Sequence, residues 1–390
     1  MEEPPLTYFD NAATTRVAPE VFEAMTPFLQ DDFGNPSSIY SLAGRSASAI
    51  ESARTSVAGY IGALPDEIIF TGGGSEADNL AIKGTMWKKP DGHMITSAIE
   101  HHAALHSCEA LAKQGYDLTV LPVDRDALVD PEDVRRALRP DTRLITIMHS
   151  NNEVGTVQPI AEIGAIAREA GVRFHTDAVQ SLGKVRLDAD ELGADFMAFS
   201  AHKVHGPKGV GALYIRKGFR PVNLIDGGGQ ERRLRAGTEN TPGIAGFARA
   251  VELLAEERET TVAEMRRLRD RLIEGILGAI PDTILTGHPE RRLPNIASFC
   301  FRYIEGEGIL LSLDMHDIAG SSGSACTSGS LDPSHVLLAM GYPHEIAHGS
   351  LRLSLSRYST DAEVDLVLEV LPPAIQRLRD MSPLYPGREN

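Results

Sequence analysis

Short runs of apolar, largely β-branched residues recur from about residue 65 onward, most of them followed by a polar or glycine-rich turn. "EIIFTGGGSEADNLAIKG" reads as strand, glycine turn and helix, and "HMITSAIEHHAALHSCEALAKQG" as strand then helix. "LITIMHSNNEVG", "VRFHTDAVQS", "FMAFSAHK" and "VGALYIRK" predict further short, buried strands, with "PIAEIGAIAREAG" a helix between two of them. Strands alternating with helices imply βαβ units, hence an α/β fold around a mainly parallel sheet within roughly residues 15–240.

The pattern then changes. "FARAVELLAEERETTVAEMRRLRDRLIEGILGAI" keeps apolar positions at helical spacing without an internal proline, which predicts a long helix linking two domains. The remainder, from roughly 282, reads as a smaller α+β domain with strands near "NIASFCF" and "GSLRLSLSRY". Its closing helix, "TDAEVDLVLEVLPPAIQRLRDM", carries a proline pair expected to kink or break it. The division expected is a large domain over 15–255 and a small one from 1–14 with 256–390.

Composition narrows the function classes. With 390 residues, 42% of them hydrophobic and 24% charged, the chain reads as a soluble two-domain protein. A net charge of −16 argues against nucleic acid as a direct partner. The opening "MEEPPLTYFDNAATT" lacks the apolar core of a secretory signal, and no run approaches a membrane span, so the expectation is a cytoplasmic protein without a membrane partner. Three cysteines without a CxxC pair argue against a disulfide framework or a zinc cluster.

Six stretches carry candidate chemistry. In "FSAHKVHGPKGVG", Lys203 follows a buried strand and precedes a glycine-rich turn, close to Ser200 and His202. A lysine at the carboxyl end of such a strand can have its pKa lowered and form a Schiff base; the plainer alternative is an exposed loop lysine. Asp177 in "FHTDAVQS" ends another strand, where a carboxylate could pair with a protonated ring nitrogen or simply cap a turn. "TGGGSEADN" offers backbone N–H groups for a phosphate at a helix start, with Ser75 either a ligand or an N-cap. In "EHHA", His101 and His102 open a helix; with His202 and His205 they could hold a metal, but a ring stacked on a flat cofactor fits better. Arg352 in "LRLSLSRY" could fork a substrate carboxylate or form a surface ion pair. "SSGSACTSG", 321–329, sets Cys326 among serines and glycines, the setting of an accessible thiol on a mobile arm rather than a buried one.

In order along the chain, "YFDNAATT", "GNPSS", "TGGGSEADNLAIKG", "EHHA", "NNEVGT", "HTDAVQ", "SAHKVHGPKGVG", "RAGTEN", "SSGSACTS" and "RLSLSRY" closely resemble the cysteine desulfurases of the NifS/IscS family. The resemblance runs almost end to end and departs most at Gly74–Ser75, where family members often carry alanine–threonine. It implies a fold type I, pyridoxal-phosphate-dependent transferase, with the cysteine loop at about 321–333 belonging to the small domain. It further implies that Lys203 holds pyridoxal phosphate as a Schiff base and moves protons, that Asp177 pairs with the pyridine nitrogen, and that Gln180 contacts the ring oxygen. His101 would stack on the ring and assist proton transfer, Gly74, Ser75, Ser200 and His202 would hold the phosphate, and Thr238 would reach it from the second subunit of a homodimer. Asn152 would contact cofactor or substrate, Arg352 would bind the carboxylate of L-cysteine, and Cys326 would attack the substrate sulfur to leave alanine and a persulfide.

The sulfur's implied destination is an iron–sulfur scaffold protein of the NifU/IscU type, with Cys326 also able to lend its thiolate transiently to a nascent cluster. Thiolation of tRNA would use the same enzyme. Selenocysteine lyase is the nearest rival activity; an aminotransferase would leave Cys326 without a task, and a non-catalytic scaffold would leave Lys203, Asp177 and Arg352 unexplained. Cys108 and Cys300, in a helical pattern and a strand, are expected to be structural.

Overall fold

The structure, a computed structural model, describes residues 6–322 and 332–386. Its strands, in chain order, are β1 (Thr7–Tyr8), β2 (Ile68–Thr71), β3 (His93–Ser97), β4 (Asp117–Leu121), β5 (Thr142–Thr146), β6 (Arg173–Asp177), β7 (Phe196–Ser200), β8 (Gly211–Ile215), β9 (Thr283–Leu285), β10 (Ile296–Phe301), β11 (Ile318–Ala319) and β12 (Ser350–Ser354). β2 to β8 form one sheet in the order β2-β8-β7-β6-β5-β3-β4. β8 runs antiparallel to both its neighbours and the other pairings are parallel.

β2, β3, β7 and β8 are buried at every position, because helices cover both faces of the sheet. This is why their sequences read as continuous apolar runs rather than alternating ones. β4 escaped the sequence reading for the opposite reason: as an edge strand it has four of its five residues exposed or half-buried, Val120 among them.

A second, smaller sheet pairs β12, β10 and β9 antiparallel, while β1 and β11 pair parallel beside it. The helix Thr241–Ala279 serves both cores. Ile244, Phe247 and Val251 pack into the core of the large sheet, and Leu268, Leu272 and Ile276 into that of the small one, with Phe9.

The closing helix runs unbroken over Asp361–Met381, contrary to the expectation that its prolines kink or break it. Pro372 and Pro373 remove the N–H groups that would bond the carbonyls of Leu368 and Glu369, on the wetter side of the helix. The stripe Val364, Val367, Leu371 and Ile375 stays fully buried across the pair, and that burial keeps the helix in register. No helix among the described residues is long and apolar enough to cross a membrane.

Candidate active site

The carboxyl ends of the parallel strands meet around a cavity of about 270 Å³, where open α/β sheets bind their ligands. β2 runs into the turn Gly72–Gly73, and the helix Gly74–Met86 begins there. Ser75 is its second residue, not its N-cap; that place belongs to Gly73, which has φ 152° and contributes no side-chain cap. The first N–H groups of the helix therefore point into the cavity with no capping side chain to take them. The turn lies tight against the sheet: a Cβ on Gly211 of β8 would stand 2.4 Å from the Phe199 carbonyl oxygen and 2.7 Å from the backbone of Gly73.

Ser200 ends β7, and one short turn, Ala201–Lys203, brings His202 and Lys203 into the same cavity. The Lys203 ammonium donates to the carbonyl oxygens of Ala12 and Ala13 at 2.6 and 2.7 Å. Behind it the buried Lys184 donates to the Lys203 carbonyl at 3.3 Å, its pKa pulled down to about 7 by burial and by the charge of Lys203.

Asp177 ends β6. Its Oδ1 accepts from the Val179 N–H at 2.9 Å, so the capping role and the place in the cavity coexist. Burial pushes its pKa up, against that bond and the charge of Lys203. Asp78, one helical turn beyond Gly74 on the same face, also lines the cavity. Burial holds it well above the usual carboxylate range, and the charges of Asp177 and Glu100 add to this.

His101 is the N-cap of the helix His102–Ala112, and its Nδ1 accepts from the Ala103 N–H at 3.1 Å. That bond fixes the tautomer: the ring proton sits on Nε2. Burial, with Lys203, His102 and His106 nearby, brings its pKa down to about 4, so at neutral pH the ring is neutral. His202 is likewise lowered to about 4 by burial and by Lys203, and its Nδ1 lies 3.1 Å from Thr14 Oγ1.

Asn152 and Arg352 complete the lining, Arg352 from the smaller sheet. Arg352, on β12, is 3% exposed; its Nη1 donates to the Asn152 carbonyl and its Nη2 to Asp10 Oδ1, both at 2.8 Å. The plainer alternative of a surface ion pair does not describe it: the guanidinium is buried and its partner Asp10 half-buried. Gln180 donates from Nε2 to the Ala12 carbonyl at 2.9 Å, while its Oε1 is buried without a partner.

The predicted residues Gly74, Ser75, His101, Asn152, Asp177, Gln180, Ser200, His202, Lys203 and Arg352 therefore line one cavity. Thr238 does not line it and is exposed. Cys326 lies outside the described residues. Among the described residues no group of His, Cys, Asp or Glu is arranged to hold a metal ion, so the four histidines do not form one. Cys108 and Cys300 are buried, their thiols pushed far toward the neutral form.

Sequence reasoning missed Asp78, Met148 and the backbone of Ala12 and Ala13, all in the cavity wall. Asp78 was findable, since Gly74 and Asp78 stand four apart on one helix. The alanines offer only carbonyls, which no side-chain pattern reveals.

The cavity suits pyridoxal phosphate. An uncapped helix start with Ser200 and His202 in the same lining matches a phosphate, a buried carboxylate at the end of a strand matches a protonated ring nitrogen, and a lysine amine lies in the same cavity.

Comparison with known proteins agrees with the geometry. Residues 7–367 match the family described as aminotransferase class-V. The chain is 55% identical over 381 residues to the cysteine desulfurase IscS of Methanosarcina thermophila, covering 97% of this chain and 94% of that protein. It superposes on a solved NifS-like protein with a TM-score of 0.90 at 38% identity, over 96% of this chain and 100% of the other. A solved structure of SspA in complex with cysteine matches with a TM-score of 0.82 and 40% identity, over 90% of this chain and 99% of that one. The chain belongs to the pyridoxal-phosphate-dependent class-V aminotransferase family, in its NifS/IscS cysteine desulfurase branch.

Proposed function

We propose that this chain is a cysteine desulfurase that converts L-cysteine to L-alanine and carries the sulfur as a persulfide on Cys326. The observation that carries the reading is the convergence of Lys203, Asp177, His101 and Arg352 on one cavity at the carboxyl edge of the sheet. Pyridoxal phosphate, when bound there, supplies the electron sink that makes the substrate's carbon–sulfur bond labile.

The chain's own groups do the rest. The helix start at Gly74 and Ser75, with Ser200 and His202, holds the phosphate, and Asp177 keeps its negative charge against the ring nitrogen. Gln180 has a second N–H on Nε2 for the ring oxygen. Arg352 offers the substrate carboxylate its Nε, which is buried and unpartnered in the protein. Lys203 takes and returns protons at its Nζ, and His101 presents its Nε2–H as a donor. The Cys326 thiolate attacks the substrate sulfur; a sulfur–sulfur bond forms as the carbon–sulfur bond breaks. The carbon left behind gains a proton to become the methyl of alanine.

The same reading has the protein act as a homodimer and pass its sulfur to an iron–sulfur scaffold protein. Thr238 supports the first part, since it is exposed and does not line its own cavity, as a residue serving a second subunit would be. Exposed Phe33, Ile39 and Tyr40 give such a partner apolar surface to cover. Lys203→Ala is the test of the site: it should purify without covalently held cofactor, as judged by absorbance after borohydride reduction, and release no alanine from L-cysteine. Covalent cofactor at another lysine would refute the assignment.

A further inference from the structure

Residues 10–15 form a strap that is bonded to both halves of the site. On the small-domain side, Asn11 Nδ2 donates to the Ser354 carbonyl and the Ala12 N–H to Ser354 Oγ, each at 2.8 Å. On the large-domain side, Thr15 donates to the His202 carbonyl from its N–H and its hydroxyl, at 2.9 and 3.0 Å. At the start of the strap, beside the first anchor, sits Asp10, in a β-bridge with Ser354 and bonded to Arg352 Nη2.

We infer that Asp10 is a positioning residue for substrate recognition: it holds the Arg352 guanidinium so that the fork's remaining N–H groups face the substrate carboxylate. An arginine side chain left free loses rotamer entropy when a ligand orders it. Here that ordering precedes the ligand. Bonds from Nη1 to the Asn152 carbonyl and from Nη2 to Asp10 fix the plane at two points, and Nε is left buried without a partner. Asp10 also compensates the charge of a guanidinium whose side chain is only 4% exposed, which would otherwise sit buried and unpaired. The electrostatics agree with this placement: burial raises the Asp10 carboxyl, and the charges of Arg352 and Lys203 both oppose the rise. Selection for a carboxylate is then set by aim more than by net charge, because the cation is already partly neutralised when the substrate arrives.

The inference rests on the proposed role of Arg352, and the experiment separates the two. Holoenzymes in a Cys326→Ala background, which prevents turnover, are titrated with L-cysteine and with cysteamine, the same molecule without its carboxylate. The readout is the ratio of their dissociation constants from the cofactor's absorbance. Asp10→Ala should lower the preference for L-cysteine by about tenfold, the scale of one charge-assisted hydrogen bond, while cysteamine binding stays near that of Asp10 itself. Asp10→Asn keeps an acceptor oxygen at the same position and should hold the preference within about threefold. Arg352→Ala should abolish the preference, and Asp10→Ala should add nothing to it. Equal weakening of both ligands in Asp10→Ala, or a tenfold loss in Asp10→Asn, would overturn the inference and leave Arg352 its role. An unchanged preference in Arg352→Ala would overturn the role of Arg352, and this inference with it. Should the alanine variant not fold, the asparagine variant alone decides between aim and charge.

Discussion

Replacing Arg54 by methionine breaks a buried pair that holds the strand leading into the phosphate turn. Arg54 donates to both oxygens of Glu231 at 2.9 Å, and the two side chains are 4% and 3% exposed. Nη1 also donates to the Ile68 carbonyl at 2.7 Å, and the Phe70 N–H donates to Glu231 Oε2 at 2.7 Å, so the pair fixes both ends of one β2 segment. Glu231 opens a run of three residues with positive φ, Glu231, Arg232 and Arg233, at 42°, 56° and 64°, a strained backbone that this bonding holds. Removing one partner of such a pair leaves a buried charge unpaired, at a cost of about 3–5 kcal/mol. With an unfolding entropy of about 2.1 cal/mol/K per residue and cooperative unfolding of all 390 residues, that loss lowers Tm by about 4–6 °C. Calorimetry of the holoenzyme checks it. Arg54→Met combined with Glu231→Gln removes the stranded charge but keeps an acceptor for the Phe70 N–H, and should recover at least half of the loss. Cofactor retention on dialysis should fall in the single variant, because β2 leads directly into the turn at Gly72–Gly73 and the helix start at Gly74. A Tm for Arg54→Met within about 1 °C of the parent would refute the reasoning.

Asp177→Asn should fold normally, since the amide oxygen can still accept from the Val179 N–H and burial opposes ionisation at this site. Alanine release from L-cysteine should nevertheless drop on the order of a hundredfold or more, because the anion facing the ring nitrogen is gone. Glu100 supplies a pH-dependent case. Burial raises its pKa to about 8, against bonds from Ser97 and the Met148 N–H. The folded chain thus binds a proton that the unfolded chain, with a carboxyl near the ordinary 4.5, releases. Its contribution to stability is full below about 4.5 and is lost as pH rises through about 8. Glu100→Gln keeps both bonds, so its stability relative to the parent should improve by up to about 4 kcal/mol between about pH 5 and 8, read from urea unfolding. A difference that does not vary with pH would show that the carboxyl is ionised in the fold.

Much of the site was legible because its residues stand at strand ends, where an apolar run stops abruptly at Asp177, Ser200 or Thr71 and polar chemistry begins. The large sheet was legible for the same reason, apart from β4, whose exposed edge erases the apolar signal. Two kinds of information were not. The continuity of the closing helix through Pro372–Pro373 depends on the tertiary burial of Val367, Leu371 and Ile375, and local propensity points the other way. The strap at Asp10–Thr15 and the acids behind the site act through contacts between residues far apart in the chain, 342 positions for Asp10 and Arg352. Lone aspartates and alanine carbonyls carry no pattern that marks such contacts beforehand. Glu231 was equally silent, since glutamate with positive φ is held there by Arg54, 177 residues away.

The account stands most directly on the release of alanine and sulfide from L-cysteine with a thiol reductant, compared between the parent and Cys326→Ala while cofactor absorbance is recorded in both. Alanine and sulfide from the parent alone, with cofactor bound equally in the two, is the predicted result. Equal turnover by Cys326→Ala, or no turnover by a fully loaded parent, would contradict it.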